Sequence, residues 1–88
     1  MPDNLARTIS AAQCRAARAL IQWRLADLAA ASGVSVSAIN DFELGGRQCA
    51  AINLAAIRST LEAAGIVFEN RPTGFGPGVS LRFGRNRN

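Results

Sequence analysis

The chain has 88 residues, enough for one small domain but too few for a second hydrophobic core. It has a formal net charge of +4, and alanine supplies much of its 49% hydrophobic content, which favours closely packed helices over aromatic layers. No run of about 18 apolar residues is present, which excludes a transmembrane helix. The polar N-terminus lacks the pattern of a secretory signal, so we expect a cytoplasmic protein that binds no membrane.

The two cysteines, Cys14 and Cys49, are too few for a disulfide scaffold, and the sequence has no histidine to complete a zinc site with them. Cys14 lies in a helical pattern, where we expect a small buried apolar side chain rather than a reactive thiol. Cys49 lies in a predicted loop and has no assigned role. We therefore expect no metal and no cofactor.

The positive charge is concentrated at the C-terminal end. From Ala11 to Asn70, five arginines and five acidic residues give no net charge. The arginines are Arg15, Arg18, Arg24, Arg47 and Arg58, and the acidic residues are Asp27, Asp41, Glu43, Glu62 and Glu69. The excess comes from Arg71, Arg82, Arg85 and Arg87. Because the helical region is neutral, the net charge is not evidence that this region binds nucleic acid.

The first predicted helix runs from Ala11 to about Gln22, after a lead of residues 1–9 that we expect to be disordered. Ser10 and Gln13 have the spacing of a capping box, in which each side chain bonds to the backbone of the other. The apolar stripe of this helix comprises Cys14, Ala17, Leu20 and Ile21. Trp23 follows at the junction with the next helix, where packing is favoured over stacking on DNA.

Two short helices, at about Leu25–Ala31 and Val36–Leu44, are predicted on either side of a tight turn. Gly33 can adopt the positive φ that ends the first of them. Ser35 supplies an oxygen that can cap the second. This is a helix-turn-helix arrangement, in which the second helix is presented to a groove of DNA.

A fourth helix is predicted at about Ala51–Ala64, after Gly45 and Gly46 end the third. The pattern then changes to two strands at Ile66–Glu69 and Val79–Phe83, separated by a loop rich in glycine and proline. An isolated hairpin is only marginally stable, so this one must pack on the helices or pair with another chain. The final residues 84–88 form a basic tail that we expect to be disordered.

The chain resembles the lambda-repressor-like (Cro or XRE-type) helix-turn-helix regulators, in particular their short, single-domain bacterial members. The shared residues are Trp23, Leu28-Ala29, Gly33-Val34-Ser35, Ile39, Phe42-Glu43 and Gly45. The resemblance covers Ser10 to Gly65, and the closing hairpin at residues 66–83 is also typical of the short members. It implies a mainly α, compact four-helix domain at residues 10–65 with a C-terminal β-hairpin, and a dimer that binds double-stranded DNA.

The resemblance also implies roles for individual residues. Arg18 and Glu43 match the positions of an internal ion pair, so we expect Glu43 to be structural. The positions that face base edges in the family correspond to Val36, Ser37, Asn40 and Asp41. The family commonly has a glutamine at the start of its second helix, whereas this chain has Leu25.

The residue types support only weak or dimer-dependent DNA binding. An aspartate at Asp41 can accept from cytosine N4, and Val36 can contact a thymine methyl group. Carboxylates near phosphates are repelled, however, and phosphate contacts supply most of the affinity. Arg24, Ser35 and Arg47 are the candidates for phosphate contacts.

Two functions stay open. The leading one is a sequence-specific transcriptional regulator that acts as a homodimer on an operator, with the hairpin edge as a dimer contact. The alternative is an adaptor of the same fold, of an anti-activator or antitoxin-like kind, that binds another regulatory protein through Val36, Asp41 and Leu44. An enzyme is not expected, because the sequence lacks a recognisable set of catalytic residues.

Overall fold

The computed structural model describes residues 9–45, 49–70 and 77–82. Within them, four α-helices are followed by a two-stranded antiparallel sheet, which confirms the predicted mainly helical fold with a C-terminal hairpin. The elements are α1 (Ala11–Ile21), α2 (Leu25–Ser32), α3 (Val36–Glu43), α4 (Ala51–Ala63), β1 (Ile66–Asn70) and β2 (Pro77–Leu81). No helix in these ranges combines the length and apolar character needed to cross a lipid bilayer.

Residues 1–8 and 84–88 make up most of the two ends that were predicted to be disordered, and they lie outside the described residues. Gly46, Arg47 and Phe83 also lie outside them. Ile9 is described, and it is a buried member of the hydrophobic core rather than part of a disordered lead. The folded region therefore begins at least one residue earlier than the sequence predicted.

Helix α1 begins with the predicted capping box. The Gln13 backbone N–H donates to Ser10 Oγ at 3.0 Å, and the Ser10 N–H donates to Gln13 Oε1 at 2.8 Å. The helix ends one residue before the predicted position, because Gln22 has a φ of 58°. The Trp23 N–H then donates to Arg18 O at 2.9 Å, which closes the turn and lets α2 begin.

The turn between α2 and α3 has the predicted chemistry. Gly33 has a φ of 78°, and its N–H donates to Ala29 O at 2.9 Å. Ser35 accepts from the Ala38 N–H at 3.1 Å and so caps α3. The hydroxyl of Ser32, the last residue of α2, accepts from the Val34 N–H at 3.1 Å. Side-chain and backbone bonds thus hold both sides of the turn.

One hydrophobic core receives buried side chains from all four helices, from the turn between α2 and α3, and from the hairpin. Its buried members are Ile9, Cys14, Ala17, Leu28, Val34, Ile39, Ile57, Leu61 and Ile66. Trp23 packs against this core, as predicted for a residue at a helix junction. Leu20 does not belong to the buried stripe of α1 and is 42% exposed. The buried side of α1 instead includes Gln13, because the hairpin packs over that end of the helix.

The hairpin pairs Ile66 with Leu81 and Asn70 with Pro77. The second strand was predicted at Val79–Phe83, but it begins and ends two residues earlier. Gly65 follows helix α4 with a φ of 104°, so β1 begins at Ile66. Because Ile66 pairs with Leu81, β2 ends at Leu81. Side chains alternate, with Ile66 in the core and Val67 exposed.

Substitution of Gly33 by alanine should destabilise the protein by about 1–2 kcal/mol, the cost of a left-handed backbone for a residue with a Cβ. An added Cβ would meet no atom within 4 Å, so the loss is conformational rather than steric. Urea unfolding of the variant measures it directly.

The matched control is Gly78→Ala. Its Cβ would lie 3.6 Å from Glu69 Oε1, an ordinary contact, and Gly78 does not have a positive φ. We expect no loss, or a gain of up to about 1 kcal/mol from a less flexible unfolded chain. Equal losses in the two variants would contradict the explanation.

Candidate functional site

Helix α3 has a buried side and an exposed side. Ile39 and Glu43, one turn apart, face the interior and are 0% and 4% exposed. On the opposite side lie residues that we call the outer face of α3: Val36, Ser37, Asn40, Asp41 and Leu44, all of them exposed. Four-residue spacing aligns its members along the helix. The structure therefore brings together the four predicted base-contact positions on one accessible surface.

Glu43 is fixed from α1. Its carboxylate accepts from Arg18 Nε at 2.8 Å and from Arg18 Nη2 at 2.6 Å, which confirms the predicted ion pair. The Cys14 thiol donates to the same carboxylate at 3.1 Å, and Arg15 Nη1 donates to the Glu43 backbone carbonyl. Three side chains of α1 thus hold the C-terminal end of α3.

Burial, hydrogen bonds and nearby charges shift the pKa values of Glu43 and Cys14 in this cluster. Burial alone would raise the pKa of Glu43, but the hydrogen bonds from Arg18 and then Cys14, with the charge of Arg18, outweigh it and hold the pKa below its ordinary value. Burial, followed by the hydrogen bond to Glu43, raises the pKa of the Cys14 thiol. The thiol therefore stays protonated and donates to Glu43; its burial was predicted, but its hydrogen bond was not.

Arg24, a predicted phosphate contact, has an 82% exposed side chain at the start of α2. It forms an ion pair with Asp27, with Arg24 Nε 3.3 Å from Asp27 Oδ2. The same carboxylate oxygen accepts from the Arg24 backbone N–H at 2.8 Å, and these bonds lower the pKa of Asp27. Asp27 therefore offsets much of the charge that Arg24 can offer to a phosphate.

The other predicted contact residues have different positions. Ser35 is exposed at the N-terminus of α3, where its oxygen accepts from the Ala38 N–H. Arg47 lies outside the described residues. Sequence reasoning missed the Arg24–Asp27 pair, although its three-residue spacing was a usable signal. It also missed the contacts of Cys14 and Arg15 with Glu43, for which the sequence carries no local signal.

A comparison with protein-family models found no match for this chain, and a search of curated proteins found no similar one. The function must therefore be argued from the site itself. In the described part of the chain, no three His, Cys, Asp or Glu side chains form a group that could hold a metal ion.

Replacing Arg18 with methionine should destabilise the fold by about 3–5 kcal/mol, because it leaves the buried Glu43 carboxylate without its cation. The double variant Arg18→Met with Glu43→Met should recover most of that loss, since it removes the buried charge altogether. Urea unfolding of both variants gives the two free energies.

Arg24→Met serves as the control for removing an arginine. It breaks an exposed ion pair, so its effect should be much smaller than that of Arg18→Met. A double variant as unstable as Arg18→Met alone would show that the loss arises from packing of the arginine rather than from the unpaired carboxylate.

Glu43 should also make stability depend on pH. Its pKa is lower in the folded state than its ordinary value of 4.5, so its stabilisation is complete above that value. It is lost as the pH falls through the lowered pKa. Urea midpoints between about pH 7 and pH 3 should therefore fall more steeply for the wild type than for Glu43→Gln. Parallel pH profiles would contradict this assignment.

Proposed function

We propose that this protein is a sequence-specific DNA-binding transcriptional regulator with a lambda-repressor-like helix-turn-helix fold, acting as a homodimer. The observation that supports it is the pairing of α2 and α3 across the Gly33 turn, with the outer face of α3 accessible along its length. Such a helix fits the major groove, which is about 12 Å wide.

The chemistry of the outer face suits direct base contacts. The Asn40 amide can bond to adenine as both donor and acceptor, and the Asp41 carboxylate can accept from cytosine N4. Ser37 has a hydroxyl that can do either. Val36 lies at the N-terminal end, where its methyl groups can contact a thymine methyl. These side chains make no hydrogen bond or ion pair within the described residues, so DNA contacts would not break any.

Phosphate contacts are the weaker part of the interface. Helix α3 begins at Val36, and Ser35 caps the Ala38 N–H, which leaves the N–H groups of Val36 and Ser37 without a partner in the helix and favours an anion there. Arg24 lies at the start of α2 but is paired with Asp27. With Arg47, these groups would make only a few phosphate contacts per copy, so we expect one domain alone to bind weakly.

A dimer compensates for this weakness by joining two half-sites. Within the described residues the sheet consists of β1 and β2, so each strand has one side that is not paired with the other. A second copy can pair with that edge across a two-fold axis, with exposed Val67 beside the contact. Two copies of α3 then face successive turns of the same groove.

The adaptor function is the second candidate, and a specific observation favours it. Leu44 is 73% exposed and Val36 is 44% exposed, at opposite ends of the outer face of α3. Between them, Asp41 has no ion-pair partner among the described residues. No arginine occurs from Val36 to Leu44, so this face suits an apolar and basic protein surface as well as a base edge.

Binding to DNA from upstream of the coding region, measured over a salt series, tests the two functions. For the regulator we expect one fragment to outcompete random DNA, with log affinity falling by about 0.9 per log unit of salt for each phosphate contacted. If no fragment does so at moderate salt, the regulator proposal fails.

An affinity capture then tests the adaptor, with Leu44→Ser expected to lose the partner and Leu20→Ser to keep it.

Asp41→Ala tests base contact directly. If Asp41 accepts from cytosine, the variant should lose about 1–3 kcal/mol of discrimination at one base position. Glu62→Ala is the charge-matched control, because it removes an exposed carboxylate from a different helix. An Asp41→Ala variant that binds every sequence more tightly than Glu62→Ala would show that Asp41 only repels phosphate.

A further inference from the structure

Gln13 is a buried amide that bonds to both strands of the hairpin. It is 3% exposed, and its Oε1 accepts from the Ser10 N–H to complete the cap of α1. Its Nε2 donates to Glu69 O at 3.2 Å and to Gly78 O at 3.0 Å. Glu69 and Gly78 are opposite each other in the register of the hairpin. One side chain of α1 therefore spans both strands.

The neighbouring residues of α1 hold a different element. Cys14, Arg15 and Arg18 all donate to Glu43 at the C-terminal end of α3. Polar contacts from α1 thus reach the hairpin through Gln13 and α3 through Glu43. Because both sets of contacts come from one 11-residue helix, they link the hairpin and α3 through α1.

A glutamine meets the demands of this position in a way that its nearest substitutes do not. The Ser10 N–H needs an acceptor, whereas the two hairpin carbonyls receive N–H donors. A glutamate would retain the acceptor but would place its carboxylate against two carbonyl oxygens. A methionine would supply neither group.

We propose that Gln13 is a positioning residue that fixes the hairpin to α1 and thereby sets the distance between the two α3 helices of a dimer. The second half of this inference rests on the proposed function, in which the hairpin joins two copies on DNA. A change in the angle between the hairpin and α1 would strain or break the bonds from Gln13 Nε2 to Glu69 O and Gly78 O. The dimer therefore accepts one spacing of its half-sites and discriminates against others.

Hydrogen exchange tests the attachment of the hairpin without DNA. Gln13→Glu keeps the acceptor for Ser10 and removes both donors to the hairpin. We expect amides of β1 and β2 to exchange at least about tenfold faster, while amides of α3 and α4 change much less. If the variant does not fold, Gln13→Met removes both donors to the hairpin without a buried charge, and it also removes the acceptor for the Ser10 N–H.

Ser10→Ala is the matched control. It removes the Oγ cap of α1 but retains the Gln13 side chain and both of its donors to the hairpin. Its effect should be equal in the hairpin and the helices, because it weakens the whole domain. Gln13 variants that also change all elements equally would overturn the proposal.

Operators with two half-sites and a variable spacer test the consequence for DNA. The wild type should prefer one spacing by about tenfold or more, and Gln13→Glu should reduce that preference to about threefold or less with unchanged binding to a single half-site. An unchanged preference would overturn the positioning role. A wild type that binds no DNA would instead contradict the proposed function, and hydrogen exchange would still decide whether Gln13 holds the hairpin.

Discussion

The position of α3 depends on one buried carboxylate. Glu43 stays charged inside the protein only because Arg18 donates twice to it and the Cys14 thiol donates once. An ion pair of this kind adds little net stability compared with apolar residues of the same size, because both charges must leave water. It nevertheless favours this placement of α3, since a placement that buried the carboxylate away from Arg18 and Cys14 would leave it without these partners. The pair therefore specifies one arrangement of α1 and α3.

Features were predictable from the sequence when the interacting residues lie close together along the chain. The Ser10–Gln13 cap, the positive φ of Gly33 and the Ser35 cap involve residues at most four positions apart, and all three were predicted. The buried positions Cys14 and Ala17 followed from helical spacing in the same way. Local rules were sufficient because these features depend on neighbouring backbone groups.

Features that depend on distant parts of the chain were not predicted. The second role of Gln13 joins it to carbonyls 56 and 65 positions away, and burial of Gln13 in place of Leu20 follows from the same contact. Gln22 was placed in the helix because nothing in its side chain indicates a left-handed backbone. In the candidate site, the outer positions Val36, Ser37, Asn40 and Asp41 were assigned from a family resemblance, and the structure shows them exposed. The Arg18–Glu43 pair was predicted only from a family resemblance.

The geometry of α3 separates the residues that hold the fold from those that are exposed on its outer face. Ile39 and Glu43 lie one turn apart on the inner side, whereas Val36, Asn40 and Leu44 lie one turn apart on the outer side. No hydrogen bond or ion pair within the described residues involves a side chain of the outer group. Substitutions there should therefore leave the buried contacts of Glu43, and with them the position of the helix, unchanged. The same scaffold is compatible with either a base-contacting or a protein-contacting face, because the fold does not depend on the outer side chains.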